Sequence, residues 1–419
     1  MLRSERLTGF PHLRWLLGLS AVMLLALLAF SSFAASAPLI RAEWALNNAQ
    51  VGMLYSVYLV GYALSALVVV PLTDRIAPPR ILLAALVVMF VGNLAFPLFA
   101  TDLWSGLVFR FLGGVGQVGV YMPAIRLISQ RYPPAKRGTA VSIFVGAGYG
   151  GTTLSYTLTG LLLNSRPWRE AYLGAALMGL LALPLAYRLL LGDLAAPPPL
   201  PAAAPRGHLD LTVLRDRAVA LAVALYALHT AELYLARLWF PLLLGALFMQ
   251  LGTDVAAATA RAATLSGLMF MTGMVAVFGG GFVSDRLGRT HAGALIFAVS
   301  GACSLLAGWL LRAPPPALIL LGFIYGLTTA ADSAIYLTAT VELAPVDRIG
   351  SVQAVESFIG FAAGALVPVI AGGILDAGDD WHRWVLAFSF NGLLAVLGVA
   401  ALLWLRRLPQ AVKLAGGKR

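Results

Sequence analysis

The chain has 419 residues, of which 60% are hydrophobic and only 11% charged, with a formal net charge of +11. Soluble globular chains are nearer half apolar and a quarter charged, so this composition excludes a water-soluble fold and makes lipid the solvent. The basic residues lie in short turns and the tail, with no stripe and no aromatic interleaving; that excludes nucleic acid as a partner and fits orientation in a bilayer.

Arg3, Arg6 and Arg14 precede an apolar run ending in SFAASAP, which imitates a secretory signal with a small-residue cleavage site. The run is longer than a signal core and many like it follow, so residues 15–40 read as a first membrane span. A spanning helix needs about 20 apolar residues. By that measure five more spans lie near 50–72, 81–100, 103–131, 138–163 and 169–191. A second set lies near 217–249, 262–284, 290–311, 314–340, 350–375 and 384–405. The predicted fold is an all-α membrane protein of twelve transmembrane helices. Residues 1–191 form an N-terminal six-helix bundle, 192–216 a cytoplasmic Pro-rich linker, 217–405 a C-terminal six-helix bundle, and 406–419 a basic cytoplasmic tail. With the N-terminus inside, inner segments hold 20 Lys and Arg and outer segments 6. That bias puts both termini in the cytoplasm of a cell (inner) membrane.

Two stretches obey one offset. Residues 68–80 read VVVPLTDRIAPPR and residues 279–291 read GGGFVSDRLGRTH, with the Asp-Arg pairs 285 − 74 = 211 apart. Pro134 and Arg137 match Pro345 and Arg348 at the same offset, since 345 − 134 = 211. This indicates an internal duplication. The pairs fall in the inner turns after spans two and eight, and the Pro–Arg landmarks before spans five and eleven.

Two six-span halves with signatures at these turns resemble the major facilitator superfamily, over essentially the whole chain. The loop signature G-x-x-x-D-R-x-G-R reads Gly281, Asp285, Arg286, Gly288 and Arg289. Its first-half copy keeps Asp74, Arg75 and Arg80, with Val70, Ala77 and Pro78 in place of two glycines and a basic residue. Arg110, Gly114 and Gly116 match a second family pattern, R-x-x-x-G-x-G. The resemblance implies a cytoplasmic gate built from these turns together with Arg137 and Arg348. A helix start carries partial positive charge and unpaired N–H groups. Asp74 is thus expected against the start of span eleven, near Gly350 and Ser351, and Asp285 against the start of span five, near Gly138 and Thr139. A solvated turn that serves orientation alone is the plainer alternative.

Ionisable residues at membrane depth are costly and mark sites. In span seven, Glu232 lies near the middle with His229 three residues before it on the same face. Arg237 lies about 140° round the helix from Glu232, and Pro241 leaves the Arg237 carbonyl without its donor, so a kink is expected there. Arg110 in span four, Arg126 near the inner end of that span, Asp332 in span ten and Glu356 in span eleven complete the buried set. Asp332 or Glu356 can pair with Arg126 or Arg110 across a cavity. Glycines 146, 148, 150 and 151, with Gly360 and Gly364, suggest close and sliding helix contact between the halves.

These features imply a secondary active transporter of a small anionic or zwitterionic solute, working by alternating access with proton symport. A drug/proton exporter and a transport-inactive sensor of the same fold are the alternatives. H-x-x-E-L-Y in span seven and ADS in span ten loosely resemble the nitrate/nitrite porter group, yet spans two and eight lack that group's arginines. No Cys/His cluster or nucleotide loop suits an enzyme, a metal or a cofactor, and lone Cys303 excludes an intrachain disulfide. The expected partners are the solute, protons and lipid, with the chain a monomer.

Overall fold

The computed structural model describes residues 12–73, 75–194, 210–345, 348–378 and 381–418. Arg3, Arg6, Asp74 and residues 195–209 of the expected linker lie outside the described residues. Helix makes up 90% of the structure, and no strand occurs among the described residues.

Among the described residues fifteen α-helices follow one another. The first eight are α1 (Leu13–Ala26), α2 (Ser32–Glu43), α3 (Asn48–Leu72), α4 (Pro78–Phe99), α5 (Leu103–Arg131), α6 (Pro134–Leu163), α7 (Trp168–Leu180) and α8 (Ala182–Leu194). The rest are α9 (Arg217–Gln250), α10 (Val255–Leu287), α11 (Arg289–Ala307), α12 (Pro315–Ala331), α13 (Ser333–Leu343), α14 (Ile349–Asp376) and α15 (Trp381–Arg407). Eleven segments among the described residues are long and apolar enough to cross a bilayer, three of them as joined pairs: α1 with α2, α7 with α8, and α12 with α13. Large apolar side chains such as Phe99, Trp104, Val108 and Leu161 point outward, the surface of a multi-pass membrane protein.

Helix starts follow the local chemistry. Asp102 accepts from Ser105 N–H while Ser105 answers it, a capping box that opens α5. Asp216 and Asp254 cap α9 and α10, and prolines open α4, α6 and α12. Gly288 turns α10 into α11 at φ 87°, a left-handed conformation that suits glycine. The break between α1 and α2 is satisfied from α6, where Ser155 accepts the Ser31 N–H at 3.1 Å and Thr159 meets Ser32 at 2.7 Å.

The glycines of the R-x-x-x-G-x-G pattern are contact points. A Cβ on Gly114 would collide with the Tyr58 carbonyl of α3, and one on Gly116 with the Met89 backbone of α4. The expected glycine contacts between halves are partly different. Gly151 packs on the Leu24 backbone of α1, and Gly360 and Gly364 on Tyr226 and Tyr234 of α9. Close contact across the molecule is made instead by Gly52 and Gly372 between α3 and α14, and by Gly160 and Gly267 between α6 and α10. Those positions face a backbone across the molecule, whereas Gly360 and Gly364 face the rings of α9 and Gly150 meets the Met274 side chain of α10.

Candidate functional site

The Arg-rich turns define one end of the molecule, called the basic end. There Arg289 is held on three sides. Its Nη1 donates to Asp285 Oδ1 and to Ser284 Oγ, each at 2.6 Å, and its Nη2 to Glu342 Oε1 at 3.0 Å. Asp285 therefore does not sit against Gly138 and Thr139. An arginine one turn along captures it, its side chain is 67% exposed, and the N-cap residue of α6, Pro133, makes no side-chain cap. Arg286 lies over the Phe282 ring, and a Cβ on Gly281 would meet nothing within 4 Å. Arg348 reaches Asp210 at 3.6 Å and Thr212 at 3.2 Å. Hydrogen bonds from Thr212 hold the Asp210 carboxyl below the usual range. Arg75 and Arg137 lie exposed at this end. Glu342 had no special signal in the sequence beyond its place just before Pro345.

Deeper in the molecule, Arg110 is 2% exposed. Its Nε donates to the Leu54 carbonyl at 3.2 Å, its Nη1 reaches Tyr172 at 3.5 Å, and its Cζ lies 4.8 Å from the rings of Phe33 and Tyr58. Ring faces and a carbonyl soften the burial of its charge, but no carboxylate balances it among the described residues. Nη2 of Arg110 and the hydroxyls of Tyr55 and Tyr58 are buried without a hydrogen-bond partner. The tyrosine stripe of α3 faces inward: Tyr58 underlies Arg110, and Tyr62 stacks on Phe361 of α14 at 4.2 Å.

Arg237 is 9% exposed on α9, with its guanidinium 5.2 Å from the Tyr149 ring of α6 and 5.9 Å from the Tyr234 ring. The Tyr234 ring is in turn 6.3 Å from that of Tyr55 on α3. α9 runs as one helix from Arg217 to Gln250 with Pro241 inside it. The carbonyl that Pro241 leaves free, that of Arg237, accepts the Tyr156 hydroxyl from α6, so the helix tolerates the proline without opening.

The acids are arranged differently from expectation. Asp332, between α12 and α13, stands with its Oδ1 2.9 Å from His229 Nδ1, off the line of a straight hydrogen bond. Glu232 accepts from Ser300 at 3.2 Å and lies within the field of Asp332. Glu356 accepts from Thr340 at 2.9 Å, and Arg126 donates to Thr73 at 2.7 Å. Neither Asp332 nor Glu356 pairs with Arg110 or Arg126, because each acid finds a polar partner among the helices after residue 216. The structure thus brings Glu232, His229 and Asp332 together, sets Arg237 and Arg110 over neighbouring tyrosines, and leaves Arg126 and Glu356 apart. Sequence reasoning missed Tyr149, Tyr156, Ser300, Ser333 and Thr340. Only Pro241, which announces a carbonyl in need of a donor, pointed toward one of them.

A polytopic helical protein with buried cations inside and apolar surface outside is a membrane protein built around a polar interior. Its family follows from comparison: a family model of the Major Facilitator Superfamily matches residues 19–313 and 243–419, and the chain belongs to that superfamily. It is 26% identical to the gallate transporter of Pseudomonas putida over 65% of each chain, and 22% identical to the hexuronate transporter of Bacillus subtilis over 89% of each. Its fold is similar to that of a bacterial homolog of the human lysosomal transporter Spinster, crystallised inward-facing and occupied. That match has a TM-score of 0.71 at 18% identity and covers 95% of this chain and 98% of the other.

Proposed function

We propose that the protein is a secondary active transporter that carries a small organic carboxylate across the cell membrane by alternating access, with a proton moving in the same direction. One observation carries the reading. Arg237 lies over the Tyr234 ring, which is 6.3 Å from that of Tyr55, and Arg110 over the Tyr58 ring one turn along, with no carboxylate to balance either among the described residues, and spare donors at Arg110 Nη2, Tyr55 and Tyr58 stand beside them. Such a surplus of positive charge and N–H and O–H donors is completed by an anionic ligand. The two relatives named above carry acids of this kind, not nitrate. In this reading α6, 30 residues long but diluted by glycine and threonine, is the twelfth span. Residues 1–191 and 217–405 are the two six-helix halves, joined by the linker 192–216, and the basic end is cytoplasmic. The Asp-Arg turns form the gate at that end, with Asp74, Arg75 and Arg137 in the first half and Gly281, Asp285, Arg286, Gly288, Arg289 and Arg348 in the second.

Thermal unfolding of the purified chain tests this against gallate, glucuronate, a neutral sugar and an organic amine. A carboxylate at about 100 times its Kd stabilises by about 2.7 kcal/mol, a rise of several degrees. The rise is expected with a carboxylate and lost in Arg237→Ala. Stabilisation by the amine alone would sink the anion reading.

A further inference from the structure

A line of side chains connects the buried acid cluster to the cation site. Tyr149 of α6 meets Ser333 Oγ at 2.9 Å, and Ser333 meets His229 Nε2 at 2.8 Å. His229 Nδ1 stands 2.9 Å from Asp332. At the other end, the Tyr149 ring lies under the Arg237 guanidinium. The chain crosses from the helices after residue 216 to those before 195, and two of its members, Ser333 and Tyr149, are hydroxyls that can donate or accept.

We infer that this chain is a proton-set switch in which Tyr149 positions the anion site at Arg237 according to the protonation of His229. The inference rests on the organic-anion reading above. With His229 neutral and its Nδ1–H toward the Asp332 carboxylate, Nε2 must accept from Ser333. The Ser333 oxygen then accepts from Tyr149, and the phenol's single proton is used inward. One proton added at Nε2 reverses every link. Nε2–H donates to Ser333, Ser333 donates to the Tyr149 oxygen, and the Tyr149 O–H is released to donate to an acceptor beside Arg237. One N–H bond forms, two hydroxyls rotate, and no other bond changes. A proton bound some distance away thus adds a donor at the cation site, and an anion there favours the protonated state in return.

Other titratable groups face this pair. Glu232 and Tyr226 lie on α9, and Tyr336 on α13 has its ring 5.6 Å from that of His229. Tyr325 of α12 and Cys303 of α11 face Glu232, and Glu356 of α14 faces Tyr226. Glu232 is the rival proton acceptor, so the test must separate it from the chain.

The test uses the full-length purified protein, with gallate and glucuronate as probes between about pH 8 and about pH 6, where histidine titrates. Wild-type affinity is expected to rise as pH falls, by up to about tenfold per unit for one linked proton. Tyr149→Phe keeps the ring over Arg237 but loses the hydroxyl. It should still bind, at the wild-type high-pH affinity, with a flat pH profile, whereas Ser333→Ala, which leaves the Tyr149 hydroxyl without its inward acceptor at every pH, should bind at the wild-type low-pH affinity, also with a flat profile. A Tyr149→Phe protein with the wild-type slope overturns the switch. A second arm needs no ligand: infrared difference spectra of tyrosine-labelled protein across the same pH range. The wild type should show a donor–acceptor change of one tyrosine that vanishes in Tyr149→Phe, Ser333→Ala and Asp332→Asn, whereas Glu232→Gln moves its midpoint without removing it. The signal surviving in Ser333→Ala overturns the inference. If neither acid binds the wild type, the carboxylate reading fails and the infrared arm still decides the switch.

Discussion

The helix pairs α3 with α14 and α6 with α10 pack backbone to backbone toward one end, while several glycines toward the other face open space. At the end away from the basic turns, a Cβ on Gly52 would lie 2.7 Å from the Pro368 carbonyl oxygen, and one on Gly372 2.5 Å from that of Asn48. Both oxygens of Asp376, the last residue of α14, accept the first N–H groups of α3, Asn48 at 2.7 Å and Ala49 at 2.8 Å. At the basic end, Cβ atoms on Gly138, Gly279, Gly281 and Gly350 would meet nothing within 4 Å, and the N-cap residues of α6 and α14, Pro133 and Arg348, make no side-chain cap themselves. Sequence reasoning placed a carboxylate on a partner's helix start and chose the end where the signature residues lie. The structure uses that device at the opposite end, through an aspartate that no motif marked. Asp376 fastens the α3–α14 pair at the far end by charge on a helix start, while the Asp74 counterpart expected at the basic end lies outside the described residues.

Three changes sharpen or break that comparison. The largest effect is expected from Gly372→Val, which drives a branched side chain into the Asn48 carbonyl. Overpacking of this kind costs about 1–3 kcal/mol, and borne by the closed state alone it shifts the population about 5- to 150-fold toward far-end opening. Spin labels on the far ends of α3 and α14 should move apart, and an unchanged distance distribution would refute the close-packing account. Asp376→Ala comes next. Loss of a cap costs about 1 kcal/mol, so the same distance should show a several-fold gain of the open population, with no change of fold by circular dichroism. The smallest effect belongs to Asp102→Ala, which uncaps α5 within its own helix and should leave that distance alone. Hydrogen bonds from the Ser105 backbone and side chain hold the Asp102 carboxyl below its ordinary value. Its contribution is therefore present above the unfolded value and lost as pH falls through the lower folded one. A melting temperature lower by on the order of a degree at neutral pH, converging with wild type in acid, is the expected result.

Most of the fold was legible because lipid imposes long apolar runs and the chain punctuates them with Asp, Pro and Arg. Span seven, read as 217–249, is α9 at Arg217–Gln250. The interruption at Leu27–Ala29 was not legible, since it depends on what the neighbouring helix supplies, whereas that at Leu181 lies just before Pro184, which cannot donate to the Leu180 carbonyl. At Leu27–Ala29 the neighbour, α6, supplies the hydroxyls of Ser155 and Thr159. The candidate site was legible as a set of charges and illegible as a set of pairs. Glu232, His229, Asp332, Arg110 and Arg237 stand out against apolar surroundings. That Asp332 would take His229 and leave Arg110 to aromatic rings is a property of tertiary packing, which no spacing along the chain encodes.

The last residues of the chain bear on how the protein is handled. Ala415 adopts φ 48°, a conformation that a side chain resists, and its N–H donates to Glu342 at 3.0 Å, while Lys418 reaches the Asp285 carbonyl oxygen at 2.7 Å. Glu342 is the same carboxylate that holds Arg289. An affinity tag or fluorescent fusion attached beyond Lys418 would pull directly on the α10–α11 turn. A label at the other terminus, or one cleaved before assay, leaves that turn as the native chain sets it.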